Sequence, residues 1–215
     1  MSKTKIYIIR HGNSLSNVDK TFTGHIDSPL SELGKLQAEK VCSFVLSNLK
    51  VDKIYSSDLS RAFNTVLPLA KKLGMDIVTD KGLREIYGGK WEGEVFANLP
   101  TKYPEDFLVW QTTPWNAKCT DGESYVEAND RFVDCLSKIA NDNSNKNIVV
   151  ATHGGVLRAF QCYAMGLPLD KMGEISYVVN ASVSEVEYED GVFKWIKCFD
   201  TDYLEGLVSE MPKGI

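Results

Sequence analysis

Short, continuous apolar runs alternate along the chain with stretches whose apolar residues recur every three or four positions. The first run, Lys5-Ile6-Tyr7-Ile8-Ile9, reads as a strand buried on both faces. It stops at Arg10-His11-Gly12, and a polar loop follows to Pro29. Ser31 is placed to cap a helix whose apolar face carries Leu33, Leu36, Val41, Phe44, Val45 and Leu49. Residues 53–55 predict a second strand, residues 59–73 a helix closed by Gly74 at its C′ position, and residues 76–79 a third strand. Further on, Ser124 and Glu127 form a capping-box pattern. The helix behind it carries Val126, Asn129, Phe132, Val133, Leu136, Ile139 and Ala140 along one face. A strongly apolar strand at 148–152 then ends at His153-Gly154-Gly155 and leads into a helix through Met165. Residues 184–188 and 193–197 flank Glu189-Asp190-Gly191 as a hairpin.

Strands alternating with helices predict an α/β fold: three layers, α/β/α, around a mostly parallel sheet, with the β-hairpin at the C-terminal end. No repeat or linker divides the chain, so a single domain over 1–215 is expected. Between residues 84 and 119 the periodicity loosens. Seven aromatics fall within these 36 residues, broken up by Pro100, Pro104 and Pro114. Residues 86–120 are therefore expected to form an aromatic-rich cap insertion. Its aromatics serve either as a wall over a bound ligand or as a small satellite core.

Composition narrows the function. The chain has 215 residues, 43% hydrophobic, and a net charge of -5 from 24 basic and 29 acidic side chains. It has no basic stripe, which argues against a nucleic-acid partner, while a single locally positive pocket for a small anion remains compatible. Five widely spaced cysteines without a CxxC pair predict reduced, buried thiols rather than a disulfide framework. No apolar run reaches the ~18 residues that span a bilayer. A cytoplasmic protein with no membrane partner is expected, and the oligomeric state stays open.

Only three histidines are present, and two share one context. His11 and His153 each follow a buried strand and precede glycine, at the strand ends where open α/β sheets bind ligands. One strand-end histidine is ordinarily structural; two in matching contexts, one preceded by Arg10, point to a shared crevice. Glycine after each allows close backbone approach. A zinc site built from His11, His25 and His153 is the competing reading, but no His-x-x-His spacing accompanies them and neighbouring arginines would repel the cation. Arg61 falls in the first turn of the 59–73 helix, where a cation opposes the macrodipole unless an anion sits there too. Glu85 adds a carboxylate beside the aromatic insertion.

Taken together these blocks resemble the histidine phosphatase superfamily. The resemblance is carried in order by Arg10-His11-Gly12 with Asn17, by Thr23-Gly24-His25-Ile26-Asp27-Ser28-Pro29-Leu30-Ser31 with Gly34, and by Ser56-Ser57-Asp58-Leu59-Ser60-Arg61-Ala62. It continues through Leu83-Arg84-Glu85-Ile86 with Gly89-Lys90-Trp91-Glu92-Gly93, then Gly122-Glu123-Ser124 and Thr152-His153-Gly154-Gly155. The resemblance implies that His11 is a nucleophile that becomes phosphohistidine, that Arg10, Arg61 and His153 bind phosphoryl oxygens, and that Glu85 is the general acid. Asn17, Thr23 and Gly24 would complete the substrate contacts. No metal and no other cofactor is then needed, because two guanidiniums supply the positive field. The chain departs from the family's pattern at Asn13, where Glu or Gln is common, and at His25, where Trp or Tyr is frequent. Residues 83–93 look like the phosphatase branch, which implies hydrolysis of a small phosphorylated substrate. A cofactor-dependent phosphoglycerate mutase is the alternative, and a non-catalytic scaffold a further one.

Overall fold

The computed structural model describes residues 3–199 and 201–209. Six strands form one mixed sheet: β1 (Lys3–Arg10), β2 (Lys53–Ser56), β3 (Ile77–Thr79), β4 (Asn147–Thr152), β5 (Val183–Glu189) and β6 (Val192–Cys198), in the order β3-β2-β4-β1-β5-β6. The first four strands in that order run parallel, while β5 and β6 are antiparallel additions at one edge. The hairpin turns on Asp190 and Gly191, both at positive φ (51° and 85°), the geometry of a two-residue primed turn.

Alternation along β1 explains the layering. Ile6 and Ile8 point to one face and Tyr7 and Ile9 to the other, all buried. On the Tyr7 side pack α2 (Glu32–Asn48) and α3 (Ser60–Leu73), through Val41, Val45, Val66 and Leu69. On the Ile6 side pack α6 (Tyr125–Asn141) and α7 (Gly154–Ala164), through Phe132, Leu136, Val156 and Phe160. Each such side chain contributes ~1.5–3 kcal/mol by leaving water, which is why the central strands are apolar throughout.

Four local expectations shift. The loop after His11 contains a one-turn helix, α1 (Leu15–Val18), closed by reciprocal bonds between Ser14 and Asn17. Leu36 of α2 is exposed, and Gln37 is buried in its place because its carbonyl accepts the Asn13 N–H at 2.7 Å. On α6 it is Tyr125 and Ala128 that face the core, whereas Val126 faces solvent. The thiols are all free, but Cys198 is exposed rather than buried.

Residues 86–120 hold two short helices, α4 (Leu99–Lys102) and α5 (Pro104–Thr112), flanked by single 3₁₀ turns. Trp91 is fully buried, with Phe22 5.6 Å and Trp110 5.4 Å away between ring centroids. This cluster is continuous with the core beneath α6 and α7. The insertion's aromatics are therefore part of that core and, through Phe96, Phe107 and Trp110, also line the cleft described next. Tyr87 stays exposed.

Candidate active site

The register of two adjacent parallel strands creates the site. Arg10 of β1 stands opposite Thr152 of β4, so His11 and His153 leave the sheet side by side. Their rings meet edge to face with centroids 5.1 Å apart, and both are buried. His11 Nδ1–H donates to the Gly12 carbonyl at 2.7 Å, which fixes the tautomer and leaves the Nε2 lone pair free. His153 is set the opposite way: its Nδ1 accepts from Arg61 Nε–H at 3.1 Å. The neutral ring then carries its proton on Nε2, a buried donor without a protein partner. Burial, reinforced by Arg61 and Arg10, holds His11 well below the ordinary histidine value. Burial, then Arg61, His11 and Arg10, does the same for His153.

Arg10 donates through Nη1 to the Val178 carbonyl at 2.6 Å and lies 4.9 Å from the Tyr177 ring centroid, while its Nε–H is buried and unpartnered. Besides its Nε–H bond to His153, Arg61 is held by carbonyls: Nη1 on Ile26 at 3.1 Å, and Nη2 on Thr23 at 3.2 Å and Gly24 at 2.8 Å. Burial lowers its guanidinium from the usual value, which starts high enough to keep it charged at neutral pH. Among the described residues neither arginine has an ion-pair partner. Both guanidiniums border the cleft beside His11, and two of the N–H donors here, Arg10 Nε and His153 Nε2, are buried without a partner. The N-terminus of α3 is itself capped by Asp27, whose Oδ1 accepts the Ser60 N–H at 2.8 Å.

Glu85 completes the ring of groups from the loop after β3. Its Oε2 accepts the Gly155 N–H at 2.9 Å, and its Oε1 accepts those of Val156 at 2.8 Å and Ile86 at 3.0 Å, capping α7. The glycines after His153 make this possible by their lack of a side chain. A Cβ on Gly154 would lie 2.8 Å from Arg10 Nε, and one on Gly155 2.8 Å from Glu85 Oε1. Arg10, His11, Arg61 and Glu85 all line one cleft of about 1080 Å³, walled on its far side by Phe96, Phe107, Trp110 and Tyr125.

Of the remaining expected residues, Asn17 and Thr23 line the cleft, while Gly24 does not. The Asn17 carbonyl oxygen accepts from Ser14 N–H at 3.1 Å and from Asn180 Nδ2 at 3.3 Å. Thr23 and Gly24 present carbonyls to Arg61, and the Gly24 amide is taken by Glu92 at 3.2 Å. That amide is not available to an oxyanion, so Gly24 acts through Arg61. Asn13 lines the cleft with its Oδ1 accepting from Ser31 Oγ at 2.7 Å. His25 Nε2–H donates to the Glu85 carbonyl at 3.0 Å, and its ring packs on Tyr87. It thus turns away from a shared metal site with His11 and His153. Among the described residues no three His, Cys, Asp or Glu side chains converge to hold a metal.

Sequence reasoning missed three supporting residues. The Glu92 carboxylate accepts four backbone N–H bonds, from Gly24 (3.2 Å), His25 (2.7 Å), Ile26 (2.9 Å) and Gly88 (2.9 Å). With their amides turned to Glu92, the Thr23–Gly24 and Gly24–His25 peptides present their carbonyls to Arg61. Arg131 of α6 grips the Glu85 carbonyl at 3.0 Å while paired with Glu123 through two bonds of 2.9 and 2.8 Å. Asn180 Nδ2 donates to the His11 carbonyl at 3.0 Å. The one usable signal was an acid within the glycine-rich run of residues 88–93, a pattern that suits a carboxylate caged by amides.

Residues 6–201 match a family model described as histidine phosphatase superfamily (branch 1). Phosphoserine phosphatase 1 of Hydrogenobacter thermophilus is 32% identical over 211 residues, covering 98% of this chain and 99% of that protein. Phosphoglycerate mutase-like protein 4 of Arabidopsis thaliana is 32% identical over 193 residues, 89% of this chain and 82% of that one. Among solved structures, YhfR of Bacillus stearothermophilus superposes with a TM-score of 0.84 at 27% identity, covering 89% of this chain and 95% of its own.

Proposed function

Because the chain belongs to the histidine phosphatase superfamily, we propose that it hydrolyses small phosphomonoesters through a phosphohistidine on His11, without a metal. The observation that carries this reading is the opposed pair of tautomers: a lone pair on His11 Nε2 beside the unpartnered N–H donors of His153 Nε2 and Arg10 Nε. In the first step Nε2 attacks phosphorus as the P–O bond to the leaving group breaks, and Glu85, as general acid, gives a proton to the departing oxygen. Arg10, Arg61 and His153 take the charge on the three equatorial oxygens. In the second step a water oxygen attacks phosphorus, the P–N bond breaks, and the water's proton passes to Glu85. Phosphate leaves and both groups are restored.

The five unpaired cysteines suit a reducing, cytoplasmic setting. The direct test is phosphate release from p-nitrophenyl phosphate by the wild type, with and without EDTA, and by His11→Ala. Turnover that resists EDTA and falls by at least about 10³-fold in the variant supports the reading. Loss with EDTA and recovery with zinc contradicts it. Conversion of 3-phosphoglycerate to 2-phosphoglycerate that depends on 2,3-bisphosphoglycerate and releases no phosphate would replace hydrolysis with mutase chemistry.

A further inference from the structure

Of the three histidines, His25 is the one that the reaction above leaves without a task. It lies in the loop that holds Arg61. The Gly24 and Ile26 carbonyls on either side of it accept from Arg61 Nη2 at 2.8 Å and Nη1 at 3.1 Å. Its ring reaches out of that loop, and Nε2–H donates to the Glu85 carbonyl at 3.0 Å. The ring is half-buried and packs on Tyr87 with centroids 5.1 Å apart. Tyr87 is itself fixed, because its N–H donates to Glu123 Oε2 at 2.9 Å and its carbonyl accepts the Glu123 N–H at 2.8 Å. The His25 ring is therefore aimed by its packing.

The contact falls on the peptide that bears directly on the Glu85 carboxylate. A peptide unit is planar, so its C=O and its N–H point in opposite directions and turn together. The oxygen of the Glu85–Ile86 peptide takes two donors, His25 Nε2–H and Arg131 Nη2–H, each at 3.0 Å. The N–H of the same peptide donates to Glu85 Oε1 at 3.0 Å. Holding the oxygen thus keeps the N–H on the carboxylate, while the first amides of α7 hold it from the other side. Arg131 serves the whole turn, since its Nη1 also reaches the Gly82 and Arg84 carbonyls at 2.9 and 3.1 Å. His25 instead ties this one peptide to the Arg61 loop.

We propose that His25 is a positioning residue: it sets the Glu85 carboxyl relative to the phosphoryl group on Arg61, and so governs proton delivery to the leaving oxygen. This inference rests on the reading of Glu85 as general acid in phosphomonoester hydrolysis, and its test separates the two.

A misplaced general acid costs most where the leaving oxygen is most basic. Phenyl phosphate and p-nitrophenyl phosphate bring the same ring to the cleft, but phenolate needs the proton far more than p-nitrophenolate. Their kcat/KM values cover the steps up to loss of the phenol and leave out the later attack of water. His25→Phe keeps a ring against Tyr87 and removes the N–H. It is expected to lower kcat/KM for phenyl phosphate about tenfold more than for p-nitrophenyl phosphate. His25→Leu removes the same N–H and stands in if His25→Phe fails to fold. His25→Gln, which carries an amide N–H near the place of Nε2, should recover most of the loss. Inhibition by inorganic phosphate should stay close to wild type throughout, because Glu92 still takes the amides of residues 24–26. Losses of equal size on the two esters overturn the proposal; if phosphate inhibition weakens with them, His25 only stiffens the Arg61 loop. A His25→Gln enzyme as selective against phenyl phosphate as His25→Phe overturns it too. A wild type that hydrolyses neither ester overturns the parent reading, and this one with it.

Discussion

A ring nitrogen attacks phosphorus only when it carries no proton, and at His11 three separate features keep Nε2 bare. The Gly12 carbonyl holds the ring's proton on Nδ1, burial disfavours the imidazolium, and Arg61 and Arg10 repel it. An NMR titration of the free enzyme should therefore place both His11 and His153 below 6.5. Arg61→Met, which removes the largest charge acting on each, should move both upward; values at or above 6.5 in the wild type would contradict the electrostatics. Glu92 offers a second test at this scale. Glu92→Gln halves the acceptor capacity facing four amides and loosens the carbonyls on Arg61. Inorganic phosphate, as a competitive inhibitor, should bind about tenfold more weakly, and an unchanged inhibition constant would show that the cage does not act through Arg61. The pairing of His11 with His153 was legible in the sequence because His-Gly recurs at two strand ends. Glu92, Arg131 and Asn180 were not, because each acts on backbone groups brought close only by loop folding. Glu92 lies 66 to 68 residues from three of its four amide partners.

Among the elements, α7 links architecture to chemistry most directly. Its first-turn amides are satisfied by Glu85, a side chain from 70 residues upstream, so the helix start and the Glu85 carboxylate hold each other in place. Gly155→Ala inserts a Cβ 2.8 Å from Glu85 Oε1. The carboxylate must shift, and kcat should fall about tenfold or more with KM for p-nitrophenyl phosphate changed much less. A matched drop in stability with kcat retained would mean that the contact is only structural. Element positions were legible because β-branched runs and capping residues are local signals. Helix faces were less so. Leu36 and Val126 have the right spacing but the wrong phase, because α2 buries Gln37 to serve Asn13, and α6 turns Tyr125 inward beneath the cleft.

At the scale of the whole molecule, the acidic chain folds around one cationic pocket that its net charge of -5 conceals. That pocket holds two buried neutral histidines, which links folding to pH. The unfolded chain takes up protons on them near 6.5 while the folded chain does not. Their contribution to stability is complete above that pH and is lost as pH falls toward the depressed folded values. The slope should approach roughly 2–3 kcal/mol per pH unit if both stay neutral. Urea unfolding at pH 7 and pH 5.5 should show this, with His153→Asn removing about half of the difference, and a flat profile would contradict it. Convergence of β1, β4, α3 and the Glu85 loop on one nitrogen is the central claim, and trapping the intermediate tests it most directly. Rapid quench into base during turnover should leave phosphorus on the Nε2 of His11, base-stable and acid-labile, and absent from His11→Ala. No labelled enzyme under conditions of fast turnover, or label on any other atom, would contradict the account.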